Sequence, residues 1–257
     1  MINISLNTDK ISVSESSSKA AEAGVKSEGN KKDDKSKSDK TSKKENDNQT
    51  SSKDENESEK DDSSELLEYD DFEDAAFIGD SRTVGLEMNS DKPKASFYAS
   101  IGLNVSSALK DSAIKLDNGN DGTVLQAMNQ KKFGRIFVMF GINELGWPYP
   151  DVFQEKYEEL INQIKEVQPD AKIYVQSILP VSYLATNTNS VFTNENINEF
   201  NESYVKKVAE NTGSVYLDVA SMFKDENGAL PVEASTDGIH LIRDYCLEWM
   251  DYLAENT

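Results

Sequence analysis

The stretch DAAFIGDSRTVGLEM, residues 74–88, passes from a short apolar run into a helical one with only Gly79-Asp80 between them. Ala75 to Ile78 reads as a buried strand, and Ser81 to Met88 as the helix that leaves it. The same alternation continues outward. ASFYAS, Ala95 to Ser100, is a second strand followed by Gly102. RIFVMF, Arg135 to Phe140, is a continuous apolar strand ending at Gly141. Phe153, Tyr157, Leu160, Ile161, Ile164 and Val167 then recur at helical spacing, with Pro150-Asp151 as the start signal. KIYVQSIL, from Lys172, is a fourth strand, and a polar loop is expected from Val181 to Thr193. A helix follows from about Asn194 to Glu210. SVYLDV, from Ser214, is a fifth strand, and a helix from about Leu241 to Leu253 closes the chain. Strands alternating with helices in this way predict an α/β fold: a five-stranded parallel sheet with helices on both faces, a three-layer α/β/α sandwich. In such sheets ligands bind beyond the carboxyl ends of the strands.

Composition separates this part from what precedes it. Residues 1–65 hold no Phe, Tyr or Trp and are dominated by Ser, Lys, Asp, Glu and Asn. Such a segment cannot bury enough apolar area to offset the entropy of ordering it, so it reads as a disordered tether ahead of one folded domain at 66–257. The tether carries 12 Lys and 16 acids, leaving 15 basic and 31 acidic residues to the domain. That acidity disfavours nucleic acid and anionic membrane surfaces as partners. The single cysteine, Cys246, permits no intrachain disulfide and falls in an apolar helical pattern, as a buried thiol would. With one Cys and one His, a structural zinc site is not expected, nor is any other metal or cofactor. DNGNDG at Asp117–Gly122 begins like a calcium loop, but Gly119 and Met128 stand where ligands are needed; it reads as a turn. No run of 18 apolar residues predicts a membrane span. A long polar spacer before the domain suggests a cell-surface or extracellular location in a bacterium, with the cytoplasm as the alternative.

Four short segments carry candidate chemistry. Ser81, in Gly79-Asp80-Ser81, stands where a strand becomes a helix. A serine there often only caps the helix. The same position also surrounds a hydroxyl with unpaired N–H groups able to stabilise an oxyanion. Gly102 follows the second strand, where a turn is the plain alternative. Asn143, in Gly141-Ile142-Asn143-Glu144, follows the third, either as a cap or as an amide donor. The fourth segment, Asp237-Gly238-Ile239-His240, contains the only histidine. A carboxylate three residues before it is what a catalytic imidazole requires to fix its tautomer.

Taken together, FIGDS (Phe77–Ser81), ASIG (Ala99–Gly102), FGIN (Phe140–Asn143) and DGIH (Asp237–His240) resemble the four ordered blocks of the SGNH/GDSL hydrolase family. The resemblance spans nearly all of the folded part and implies the flavodoxin-like form of the three-layer sandwich. It implies Ser81 as nucleophile, His240 as general base and then acid, and Asp237 as the group that orients His240. It also implies an oxyanion hole from the N–H groups of Ser81 and Gly102 and the side-chain amide of Asn143. Two positions depart from the family pattern: Arg82 replaces the Leu after the serine, and Glu144 the Asp after the asparagine. Both are candidate substrate contacts, with Trp147, near Pro148 and Tyr149, and Tyr183 in the polar loop. The expected activity is hydrolysis of short acyl esters, acetyl above all, on a small-molecule or carbohydrate substrate. An O-acetyltransferase of a cell-surface polysaccharide would use the same triad, and a non-catalytic carbohydrate-binding surface protein is the alternative of another class.

Overall fold

A computed structural model describes residues 72–92, 94–188 and 191–257. The tether read over residues 1–65 lies outside the described residues. The expected sheet is present. Its strands are β1 (Ala75–Gly79), β2 (Ser96–Ala99), β5 (Arg135–Met139), β6 (Lys172–Gln176) and β7 (Val215–Leu217), in the order β2-β1-β5-β6-β7. Every neighbouring pair is parallel. Two further strands, β3 (Ile114–Lys115) and β4 (Asp121–Gly122), form a small antiparallel hairpin. The DNGNDG segment supplies its turn, with Gly119 at φ +83°.

All five residues of β1 are buried, as a central strand covered on both faces requires. Alternate residues feed opposite cores. Ala76, Ile78, Ile136, Val138, Ile173 and Val175 face the helices α4 (Pro150–Val167), α6 (Asn194–Phe200) and α7 (Lys206–Thr212). The intervening side chains face α1 (Ser81–Asn89) and α8 (Arg243–Asn256). On that second face Phe97, Phe77, Phe137 and Tyr174 sit in register on four adjacent strands, their rings 4.8–5.1 Å apart and nearly parallel. Offset stacking of this kind adds to the burial term, about 0.5–1.5 kcal/mol per pair. Trp249 of α8 packs beside it, its indole N–H donating to Gln176 Oε1 at 2.8 Å. Cys246 is buried in the same core, as expected.

Some elements escape a reading by periodicity. α2 (Val105–Ala108) and α3 (Val124–Met128) are too short to show it, and each is set by a capping box, Asn104 with Ser107 and Thr123 with Gln126. The loop expected from Val181 to Thr193 contains a helix, α5 (Tyr183–Thr188). Its Ser, Thr and Asn residues have weak helix propensity; the turn is held because Ser182 Oγ accepts from the Leu184 N–H and Ala185 is buried. The helix expected from Asn194 runs as α6 and α7 joined by a π-turn at Asn201–Val205, and ends at Gly213 in the left-handed region. α8 begins two residues late because Leu241 still pairs with Ser235 in an isolated bridge.

Candidate active site

The chain leaves β1 for β2 on one side and later returns to β5 on the other, so the loops at these strand ends diverge above β1. Ser81 stands there, at the first position of α1. The helix turns off the strand without a connecting residue beyond Asp80, and Gly79 makes that possible. A Cβ at Gly79 would collide with the Thr83 side chain and lie 2.7 Å from the Met139 carbonyl oxygen. Asp80 caps the helix by accepting from the Arg82 N–H at 2.9 Å, a bond that does not consume the N–H of Ser81.

His240 arrives from the loop between β7 and α8. Its Nε2 lies 2.8 Å from Ser81 Oγ, and its Nδ1 lies 2.6 Å from Asp237 Oδ2. Asp237 Oδ1 accepts from the N–H groups of Ile239 and His240, both at 2.9 Å, and from the Ser235 hydroxyl at 3.0 Å. Burial would raise this carboxyl, but the His240 N–H, the His240 ring and the Ile239 N–H hold it well below the usual carboxylate range. Asp237 is therefore an anion, Nδ1 must donate to it, and Nε2 remains to accept from the serine hydroxyl. The turn needs Gly238, at φ +86°, because a Cβ there would approach Ala185 N and Ser182 Oγ to 2.7 Å.

Two serines that sequence reasoning missed hold this loop. Ser235 Oγ accepts from the Gly238 N–H at 2.9 Å while donating to Asp237, and the Ser182 N–H donates to the Gly238 carbonyl at 2.9 Å. The segment carrying Ser182 is itself pinned: Asn201 brackets Ile178, and Asn194 brackets Val181, each through backbone N–H and C=O at 2.8–2.9 Å. The only signal in the sequence was the run Ser235-Thr236-Asp237-Gly238, whose hydroxyl two residues before an Asp favours a local turn.

The other expected residues distribute as follows. Gly102 is exposed at φ +77°, in a turn closed by the Leu103 N–H donating to the Ser100 carbonyl at 3.1 Å. The Asn143 amide donates to the Leu103 carbonyl at 2.9 Å, so the loops after β2 and β5 are tied together across the end of β1. The structure departs from expectation at Arg82 and Glu144, which are buried rather than open to a substrate. Arg82 donates to the Leu179 carbonyl at 2.9 Å and lies in the field of Asp80 and Asp237. Burial lowers it to about 10, so it keeps its charge near neutral pH. Asp80, also buried, is raised by burial against the pull of Arg82. Glu144 accepts from the Val105 N–H at 2.9 Å. Trp147 is half-buried against the core, whereas Tyr183 is 55% exposed and adjoins Ser182. Cavities of about 540 and 290 Å³ lie at the end of α1 and between α2 and α4; neither is lined by Ser81, Asp237 or His240. Among the described residues, no group of three or more His, Cys, Asp or Glu could hold a metal ion, and no helix is long and apolar enough to cross a membrane.

The sequence profile of the GDSL-like lipase/acylhydrolase family matches residues 77–243, from the strand before Ser81 to just past His240. No curated protein matches the chain. Solved structures share the fold at low identity. A protein from Streptococcus pneumonia is 23% identical, with a TM-score of 0.57 over 71% of this chain and 82% of its own. A GDSL-like lipase from Bacteroides thetaiotaomicron is 14% identical, with a TM-score of 0.53 over 74% of this chain and 90% of its own. A carbohydrate acetylesterase from Sinorhizobium meliloti is 15% identical, with a TM-score of 0.52 over 70% and 96%.

Proposed function

The chain belongs to the GDSL-like lipase/acylhydrolase family and is in class a carboxylic ester hydrolase, and from that premise we propose that it is a serine esterase acting on short acyl esters through Ser81, His240 and Asp237. The observation that carries this reading is the continuous hydrogen-bonded chain from Ser81 Oγ through both ring nitrogens of His240 to Asp237. Ser81 Oγ attacks the ester carbonyl carbon as its proton passes to His240 Nε2. Negative charge moves onto the carbonyl oxygen, where the N–H groups of Ser81 and Gly102 and the second N–H of the Asn143 amide receive it. When the tetrahedral species collapses, His240 returns the proton to the departing alcohol. Water, activated by the same imidazole, then releases the acid from the acyl-enzyme. Asp237 stabilises the imidazolium in both halves without taking the proton.

The substrate reading is acetyl or a similarly small acyl group on a carbohydrate. Asp237 and His240 are partly exposed, and an open surface of this kind suits a bulky alcohol better than a long acyl chain. Tyr183 offers an exposed ring next to the segment that holds Gly238, where a sugar could stack. The acetylesterase from Sinorhizobium meliloti, which has this fold, acts on carbohydrate esters of that type. The test is hydrolysis of p-nitrophenyl esters of increasing acyl length, with Ser81→Ala and His240→Ala as controls. Turnover should be greatest for acetate and fall by roughly three or more orders of magnitude in each variant. Near-wild-type turnover in a folded Ser81→Ala protein would remove the assignment, and a preference for long chains would remove the acetyl reading.

A further inference from the structure

Glu144 follows Asn143 directly, yet its side chain goes the other way, into the core beneath the site. It is fully buried, and Oε1 accepts from the Val105 N–H at 2.9 Å. Val105 opens α2, whose next two N–H groups, of Ser106 and Ser107, are taken by Asn104 Oδ1 at 3.1 and 3.0 Å. The first turn of α2 is thus satisfied by Asn104 together with Glu144. Two residues before Asn104 stands Gly102, and between them is Leu103, whose carbonyl holds the Asn143 amide. The loops that carry the two outer oxyanion donors are therefore joined by two hydrogen bonds, one on each side of Asn104.

We infer that Glu144 is a positioning residue, tying the loop after β5 to the start of α2 so that Asn143 and Gly102 face Ser81 in register. The inference rests on the esterase reading above. Asn143 alone cannot set this geometry, because its side-chain torsions let the amide follow a drifting loop. A second tie, one residue along, removes that freedom.

Glu144 performs this role as a neutral acid. Its Oε2 is buried and has no hydrogen-bond partner among the described residues, so a proton there leaves the Val105 bond to Oε1 intact. The titratable groups that face it are Asp80, at the start of α1, and Tyr157 of α4, whose hydroxyl is engaged with the Val138 carbonyl at 3.1 Å. Neither supplies a positive charge. Burial pushes the Glu144 carboxyl up to about 8; the Val105 N–H opposes this, Asp80 adds to it, and the N–H groups of Gly141 and Glu144 itself oppose it less strongly. Below that pH the side chain is uncharged. Above it, a buried anion appears on the residue next to the oxyanion donor Asn143, and its field disfavours the negative charge of the transition state more than the ground state.

The experiment is kcat and KM for p-nitrophenyl acetate between pH 6 and 10 in the full-length chain, with Glu144→Gln, Glu144→Ala and Ser81→Ala, and a melt of each sample. In the wild type kcat should fall as pH rises through about 8, with KM nearly unchanged. Glu144→Gln keeps an acceptor for Val105 and cannot ionise, so it should match the wild type within roughly threefold at pH 7 and lose the alkaline fall. Glu144→Ala should lose roughly tenfold in kcat at pH 7, less than removal of an oxyanion donor itself. An alkaline fall that persists unchanged in Glu144→Gln overturns the inference, as does a wild-type kcat that is level across pH 7–9.5. A Glu144→Ala protein with a lower melt but normal kcat overturns it too. If Glu144→Ala does not fold, the pH profile of Glu144→Gln decides alone. Activity surviving in Ser81→Ala would instead overturn the esterase reading, whatever the Glu144 variants do.

Discussion

Asn143→Ala separates structural from catalytic function most sharply, because one amide has both duties. Its Nδ2 donates to the Leu103 carbonyl at 2.9 Å, and the other hydrogen on that nitrogen remains for the oxyanion. Losing the first bond from a half-buried position costs about 1 kcal/mol of stability, which lowers the melting temperature by roughly 2–4 °C in a domain of this size. Losing the second acts only when the carbonyl oxygen becomes an anion. One such donor is worth roughly 10²–10³ in kcat, and since loop drift and a substituting water can return part of it, a fall of at least about 30-fold is expected. KM should stay within roughly threefold, because the ground-state carbonyl carries little charge. The assay is steady-state hydrolysis of p-nitrophenyl acetate beside a thermal melt of the same sample. A lowered melt with normal kcat would show that Asn143 is only a tie between loops. A proportional rise in KM with unchanged kcat would show that it binds substrate and transition state alike.

Asp237→Asn should keep the turn, since Oδ1 still accepts from Ile239 and His240, but an amide facing Nδ1 forces the wrong tautomer; kcat should fall by roughly three to four orders of magnitude with little change in melt, and a loss under tenfold would refute the role. Gly238→Ala places a Cβ against Ala185 N and Ser182 Oγ at positive φ, so kcat should fall at least roughly tenfold and the melt by a few degrees; an unchanged kcat would show that the loop tolerates displacement. The raised carboxyl of Glu144 also links stability to pH. The folded state holds its proton up to about 8 and the unfolded chain only to about 4.5, so the stabilisation is full below about 4.5 and lost as pH rises through about 8. Melts of wild type and Glu144→Gln between pH 5 and 9 should show the wild type losing roughly several degrees relative to the variant; parallel curves would refute the shift.

How much was legible in the chain itself depends on the range over which each signal acts. The five strands, their parallel order of use and the long α4 follow from local apolar runs and from spacing along one helix face, which need no partner to be read. Ser81, Gly102, Asn143 and the Asp237–His240 pair were legible as types at the ends of strands and helices, because a turn that exposes a side chain has its own short-range chemistry. The pairing of Asp237 with His240 is local too, three residues apart and closed by Gly238. What only the tertiary structure decided is which way the remaining polar side chains point. Arg82 and Glu144 look like surface substrate contacts in sequence, since charged residues are rarely buried. The fold turns both inward: Arg82, one residue into α1, reaches the Leu179 carbonyl, and Glu144, in the turn after β5, reaches the Val105 N–H, while Ser81 and Asn143 stay partly exposed. The bonds that fix the site, from Ser182 to Gly238, from Asn143 to Leu103 and from Glu144 to Val105, each join segments at least 39 residues apart. No local pattern encodes such a partner; the packing of two loops over one strand end creates it.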